Sequence, residues 1–261
     1  MKALALGLAL AASLALPFAP ASAETVKVGV TPGPHAQILE KVKELAAPKG
    51  LDVKVIEFSD YVVPNAALAA GDLEINSFQH QPYLDNQIRD RGYKIVPVGL
   101  TVNFPIGVYS KKYKSFDEIP AGASIGIPND PTNGGRVLLL LADKGFIKLK
   151  DGVGVKASVI DVVENPKKLK FVEIDAAQLP RSLPDLAAAG INTNFAKEAG
   201  LDPVKDPILR EDPKGPYVNI IAVRAEDKDK PWVKTFVETY HSPEVKAFIL
   251  DTFKGSVLPS W

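Results

Sequence analysis

The side chains that could do chemistry gather in a few short stretches. "INSFQHQPYL" (residues 75–84) sets Phe78, His80 and Tyr83 within six positions, and the chain has only three histidines, His35, His80 and His241. An imidazole at His80 can ligate a metal, move a proton, wall a ligand or simply pack. On spacing alone a hydrogen-bonded structural histidine is the commoner outcome, and Phe78 and Tyr83 read first as core. With Tyr61 of "FSDYVVPN" (residues 58–65) alongside, these rings would instead wall a pocket suited to an apolar or thioether side chain.

"IPNDPTNGGRVLLLL" (residues 127–141) carries the strongest local pattern. A strand ends at Pro128, a turn follows, and Gly134-Gly135 opens a helix. Bare glycines let a ligand approach the backbone. The first N–H groups of a helix lack intrahelical partners, and the helix dipole favours an anion there. Arg136 falls in that first turn, and its planar fork matches a carboxylate bidentately. Two readings stand: a carboxylate clamp, or an arginine paired within the fold. "INTNFA" and "YVNIIAV" place Asn192 and Asn219 on or beside apolar strands. An amide both donates and accepts, so it can hold ammonium and carboxylate groups. The alternative is a turn or capping asparagine, stronger for Asn192 and Asn194 before a short helix, weaker for Asn219 inside an apolar run.

Other chemistry lacks a signature. There is no G-x-S-x-G, H-E-x-x-H, P-loop, dinucleotide-binding glycine pattern or EF-hand loop. A zinc site needs three or four ligands, and the histidines are far apart. No catalytic residue, metal ligand or cofactor is nominated.

The elements that must position these residues alternate. "TVKVGV" and "LDVKVIEF" read as strands, with a helix between them whose apolar face is Ile38, Leu39, Val42, Leu45 and Ala46. "VPNAALAAG" reads as a short helix, "LEIN" as a short strand and "PYLDNQIRDRG" as a helix with proline early and glycine late. "YKIVPVGL" and "FPIGVYS" follow as strands. The second half repeats the alternation through "ASIGIP", "NGGRVLLLLADKG", "LKFVEI", "AAAGIN" and "YVNIIAV". Two closing helices in residues 231–253 break at Ser242-Pro243. Strand–helix alternation predicts an α/β fold with mixed, largely parallel sheets. Two such blocks predict two lobes.

Residues 1–23 read as a secretory signal peptide: Lys2, an apolar run and "ASA" before a cleavage at Glu24. Removing those 23 residues leaves 238 of 261, enough for one large domain or two lobes. The 31 basic and 31 acidic side chains balance, and without Lys2 the count is 30 against 31. That balance argues against nucleic acid as a partner. The chain has no cysteine, which excludes disulfides and thiol catalysis and leads us to expect no lipid anchor.

The stretches "TPGPHAQILE", "EFSDYVVPNAALAAGDLEINSFQHQPYL", "IPNDPTNGGRVLLLL", "FIKLKD", "DVVENPKKLKFVEIDAAQLPRSL", "INTNFA" and "PYVNIIAV", in this order, resemble the NlpA-type lipoprotein family. The resemblance implies a two-lobe periplasmic-binding-protein fold of type II, closing on a free amino acid, methionine first, in the L- or D-form. It implies a monomer in the periplasm that delivers its cargo to the membrane permease of an ABC importer with a cytoplasmic ATPase, without catalysis. Arg136 would pair with the ligand carboxylate, Asn192 and Asn219 would fix its backbone atoms, and Tyr61, Phe78 and His80 would line the side-chain pocket. Tyr83 stays with the core. One lobe would comprise residues 24–103 plus 221–261, the other residues 104–220, with crossings at "VNFPI" and "PYVNI". "LPDLAAAG" (residues 183–190) departs from relatives, which often carry an acidic residue there, and so bears on ligand choice. The alternatives are the same fold binding a methionine-containing dipeptide, another apolar amino acid or a small sulfonate. An exported hydrolase or a metal-binding protein is a more distant one.

Overall fold

A computed structural model describes residues 23–261; the expected signal peptide lies outside the described residues except for Ala23. The chain first lays down β1 (Glu24–Val30), α1 (Pro34–Ala46), β2 (Leu51–Glu57), α2 (Val63–Ala70), β3 (Ile75–Asn76), α3 (Gln81–Arg91) and β4 (Ile95–Asn103). It crosses into β5 (Gly107–Tyr109), β6 (Ser124–Pro128), α4 (Pro131–Asp143), β7 (Lys148–Leu149), β8 (Val162–Glu164), β9 (Lys170–Ile174), α5 (Leu179–Ser182), β10 (Ala188–Ile191), α6 (Thr193–Glu198) and β11 (Leu209–Arg210). It then returns through β12 (Val218–Arg224), α7 (Pro231–Tyr240), α8 (Pro243–Phe253) and β13 (Leu258–Pro259).

Two sheets result, each the floor of one lobe. The larger is ordered β13-β4-β12-β3-β1-β2, the smaller β11-β5-β10-β6-β9. In each, one strand lies between two parallel neighbours (β1 between β2 and β3, β6 between β9 and β10), and the next strand inward runs antiparallel. Both sheets are therefore mixed, with helices packed on their faces, which is the two-lobe α/β architecture expected from the alternation; they are not largely parallel as expected, because β4, β5, β11, β12 and β13 all pair antiparallel. β12 lies wholly in the larger sheet, so the return crossing ends before Val218.

Local chemistry explains the ends of the elements. Proline opens α1, α4, α7 and α8, where its missing N–H costs nothing. Gly92 ends α3 in the left-handed conformation, φ 71°. Ser242 caps α8 by accepting from Val245 N at 3.3 Å, which makes the break between the closing helices. One core packs α1, α7 and α8 under the larger sheet through Val28, Ile38, Val42, Phe236, Tyr240 and Ile249. A second packs α4 against the smaller sheet through Ile125, Ile127, Val137, Leu138 and Leu141.

Candidate functional site

All six residues singled out in the sequence, Tyr61, Phe78, His80, Arg136, Asn192 and Asn219, line one cavity between the lobes. His35, Gln79, Tyr83, Phe104, Asn133 and Asn194 complete its wall.

The larger lobe supplies the rings. Tyr61 lies 6.1 Å from Phe78 and 6.2 Å from Tyr83, centroid to centroid. Tyr83 is both core and wall: it is buried, lines the cavity, and donates its hydroxyl to Tyr61 O at 2.8 Å. The loop that carries Phe78 and His80 is held by buried amides. Gln79 and Asn65 exchange two bonds of 2.7 Å, and Asn76 donates to Asn65 at 2.9 Å. His80 caps α3, its Nδ1 accepting from Tyr83 N at 3.1 Å. An accepting Nδ1 puts the proton of a neutral ring on Nε2, which donates to Asn133 Oδ1 at 3.2 Å. Burial, helped by the nearby Arg136 charge, lowers the His80 pKa from 6.5 to about 3, so the ring stays neutral. Burial does the same to His35, which packs 4.6 Å from the Phe104 ring.

The smaller lobe supplies the polar groups, and here two details of the sequence reading change. First, α4 begins at Pro131, so Gly134 and Gly135 lie inside it rather than facing a ligand. A Cβ on Gly134 would stand 2.5 Å from Pro128 O, and one on Gly135 2.3 Å from Ala157 O. The glycines admit protein backbone. The free N–H groups of Thr132 and Asn133 are also already taken, by the Asp130 carboxylate at 3.2 and 2.9 Å. Secondly, Arg136 sits a turn deeper, 2 % exposed, and its fork is occupied. Its Nε donates to Glu211 Oε1 at 2.8 Å, and its Nη2 donates to Glu211 Oε2 and to Phe104 O. Its guanidinium carbon rides 4.2 Å from the Tyr217 ring centroid. Among the described residues Nη1 alone of its nitrogens has no hydrogen-bond acceptor, so the fork cannot close bidentately on a ligand in this arrangement.

Asn192 occupies the N-cap of α6 without capping it. Its Nδ2 donates to Asn133 Oδ1 at 3.0 Å, and its buried Oδ1 has no partner among the described residues. Asn219 meets His80 in a backbone bridge that joins β12 to the loop before α3. The lobes touch around the cavity: Tyr61 donates to Asn194 Oδ1 at 2.6 Å and its ring lies 4.9 Å from Phe195. None of the residues lining the cavity comes from 183–190; Leu183 and Leu186 are core instead, so that departure does not face the site.

Sequence reasoning missed His35, Asn133 and Glu211. His35 and Asn133 stood in quoted motifs. Glu211 reaches Arg136 across 75 positions, and no local pattern announces such a pair. Among the described residues no helix is long and apolar enough to cross a membrane.

Comparison with known proteins fits this geometry. The model of the NlpA lipoprotein family matches residues 26–261. The chain is 53% identical over 239 residues to the D-methionine-binding lipoprotein MetQ of Escherichia coli K12, spanning 90% of this chain and 88% of that one. It superposes with TM-score 0.88, at 58% identity, on a nutrient-binding protein from Burkholderia cenocepacia bound to methionine, covering 90% of this chain and all (100%) of that one. It matches an ABC transporter periplasmic substrate-binding protein from Coxiella burnetii with TM-score 0.87 at 47% identity, covering 90% and 100%. One expectation is overturned. The family and its curated relative are lipoproteins by name, so the lack of cysteine in these 261 residues is no ground for a protein without a lipid anchor.

Proposed function

This chain belongs to the NlpA lipoprotein family, and from that premise we propose that it is a periplasmic solute-binding protein that captures free methionine between its lobes and hands it to an ABC importer, without catalysis. It has the two-lobe fold, type II, of periplasmic substrate-binding proteins. The observation that carries the ligand class is a pair of complementary groups in one cavity between the lobes. Arg136 offers Nη1 as a donor, and Asn192 offers Oδ1 as an acceptor. A donor and an acceptor from the smaller lobe, with rings from the larger, match a zwitterion that carries an apolar tail.

In this reading the carboxylate takes a single charge-assisted bond from Arg136 Nη1, because Glu211 holds the rest of the fork. The ammonium donates to Asn192 Oδ1, with Asn219 on the opposite wall. The thioether lies among Tyr61, Phe78 and Tyr83, with His80 as neutral wall and not as metal ligand; sulfur beside aromatic rings is favourable. The lobes cross at residues 104–106 and 211–217. Arg136 ties both crossings, through Phe104 O and Glu211, so ligand capture and lobe closure share one side chain.

A thermal-shift panel tests this. The protein is stripped by unfolding and refolding and offered the common amino acids, D-methionine and methionine dipeptides. A ligand at 100 times its Kd stabilises by about 2.7 kcal/mol. The expected result is a large shift with methionine. No shift with any amino acid sinks the reading.

A further inference from the structure

We propose that Asp130, which does not line the cavity, is a positioning residue that sets the polarity of its amine-recognising end. The proposal rests on the methionine reading above and names the group behind that site's preference for an ammonium.

Four side chains, Asp130, Asn133, His80 and Asn192, form the relay. Asp130 Oδ1 accepts from Thr132 N, from Thr132 Oγ1 at 2.9 Å and from Asn133 N. Both its oxygens accept from Asn133 Nδ2, at 3.1 and 2.9 Å. A carboxylate only accepts, so Asn133 must turn its nitrogen toward Asp130 and its oxygen away. That oxygen then receives two donors, His80 Nε2 and Asn192 Nδ2, at 3.2 and 3.0 Å. The His80 tautomer agrees, because its Nδ1 is occupied by Tyr83 N–H. With its nitrogen drawn to Asn133, Asn192 is left presenting Oδ1, the buried acceptor without a partner among the described residues. One carboxylate behind the cavity wall, acting through Asn133 and Asn192 in it, thereby decides that the wall accepts rather than donates.

Asp130→Asn separates this role from helix capping. Asparagine caps helices about as well as aspartate. Its oxygen can keep the bonds to Thr132 and Asn133 N–H, but its nitrogen then meets Asn133 Nδ2, donor against donor. Rotation of Asn133 moves that clash to its far side, against His80 Nε2–H and Asn192 Nδ2; Asn192 can yield by rotating, and its Nδ2 then turns into the cavity, where it opposes an ammonium.

The test is titration calorimetry on wild type and Asp130→Asn with two probes, methionine and the analogue of methionine that lacks the amino group. Wild type should prefer methionine. In the variant, methionine affinity should fall by roughly ten- to a hundredfold, the cost of opposing buried polar groups. The analogue should lose far less, so the preference collapses toward one. A residue that merely caps α4 would weaken both probes by one factor; an unchanged ratio overturns the proposal and leaves the methionine reading intact. A wild type that binds no methionine sinks the reading itself, and the proposal with it. Should Asp130→Asn fail to fold, Asn133→Ala cuts the same relay with the cap in place. It must also erase the preference, and a preference that survives overturns the proposal.

Discussion

The two lobes are built on one strand order and yet present opposite walls. Each sheet sets one strand between two parallel neighbours, β1 between β3 and β2 and β6 between β10 and β9, and continues into an antiparallel strand. The larger lobe brings rings to the cavity, with neutral imidazoles and amides. The smaller brings Arg136 and three asparagines. Topology thus fixes where a wall stands, and the few residues after each strand fix what it recognises. In the reading proposed here, the smaller lobe holds what every amino acid has in common and the larger lobe holds what distinguishes one from another. Neither half-site suffices, which is why a ligand would favour the closed state.

Acid should separate the lobes most strongly. His35 and His80, both in the larger lobe, are pushed by burial from 6.5 to about 3. Below pH 6.5 the unfolded chain takes up protons that the folded chain refuses, so stability falls as the pH drops from 6.5 toward about 3. Each contributes about 1.4 kcal/mol per pH unit, several kcal/mol in total. Burial raises the pKa of Asp130 in the smaller lobe, which has the reverse sign: the folded chain binds that proton first, so its contribution to stability grows as the pH falls through its raised folded value. Urea midpoints against pH, with hydrogen exchange followed lobe by lobe, should show the larger lobe loosening first. His80→Gln should remove part of the slope; a slope left unchanged would mean that His80 is not the buried neutral base described.

Arg136→Ala should cost about 2–5 kcal/mol of methionine affinity, the range for cutting a buried charged contact. It also strands Glu211 in the crossing. Unaltered affinity by calorimetry would move the charge recognition off the smaller lobe. Asn192→Ala should cost about 1–3 kcal/mol by leaving an ammonium without its acceptor. The amine-free analogue should lose less, and an equal loss would count against the assignment. Tyr61→Phe keeps the ring and removes only the 2.6 Å bond across the lobes. It should cost about 0.5–1.5 kcal/mol, seen mainly as faster release of ligand in stopped-flow measurements.

How much of this was legible in the sequence differs between the lobes in the same way. The rings of the larger lobe were visible, because Tyr61, Phe78 and His80 sit in short motifs that one loop or helix end delivers together. The elements were visible too: "YVNIIAV" is the core of β12, and Ser242-Pro243 is the break between α7 and α8. The polar wall was harder. Arg136 could be picked out, but its partner could not, because a charge pair between α4 and a distant crossing leaves no periodicity. The glycines misled for a related reason. A sequence shows that a Cβ is missing, and only the packing shows that Pro128 and Ala157 carbonyls, not a ligand, fill the space. Asp130 and Asn133 read as turn residues, and they are turn residues; their effect on Asn192 exists only once β10 has docked beside β6.

The order in which the chain visits the lobes also governs its birth. The smaller sheet is drawn from one continuous span between β5 and β11, whereas β12, nearly the last strand made, sits between β3 and β4 in the middle of the larger one. Until residues 218–224 emerge, β3 and β4 are unpaired edges of two separate fragments, open to pairing with other chains. The larger lobe therefore stays unfinished through most of synthesis, and a nascent chain cut short before Val218 has a smaller lobe that can be complete beside a larger lobe that cannot.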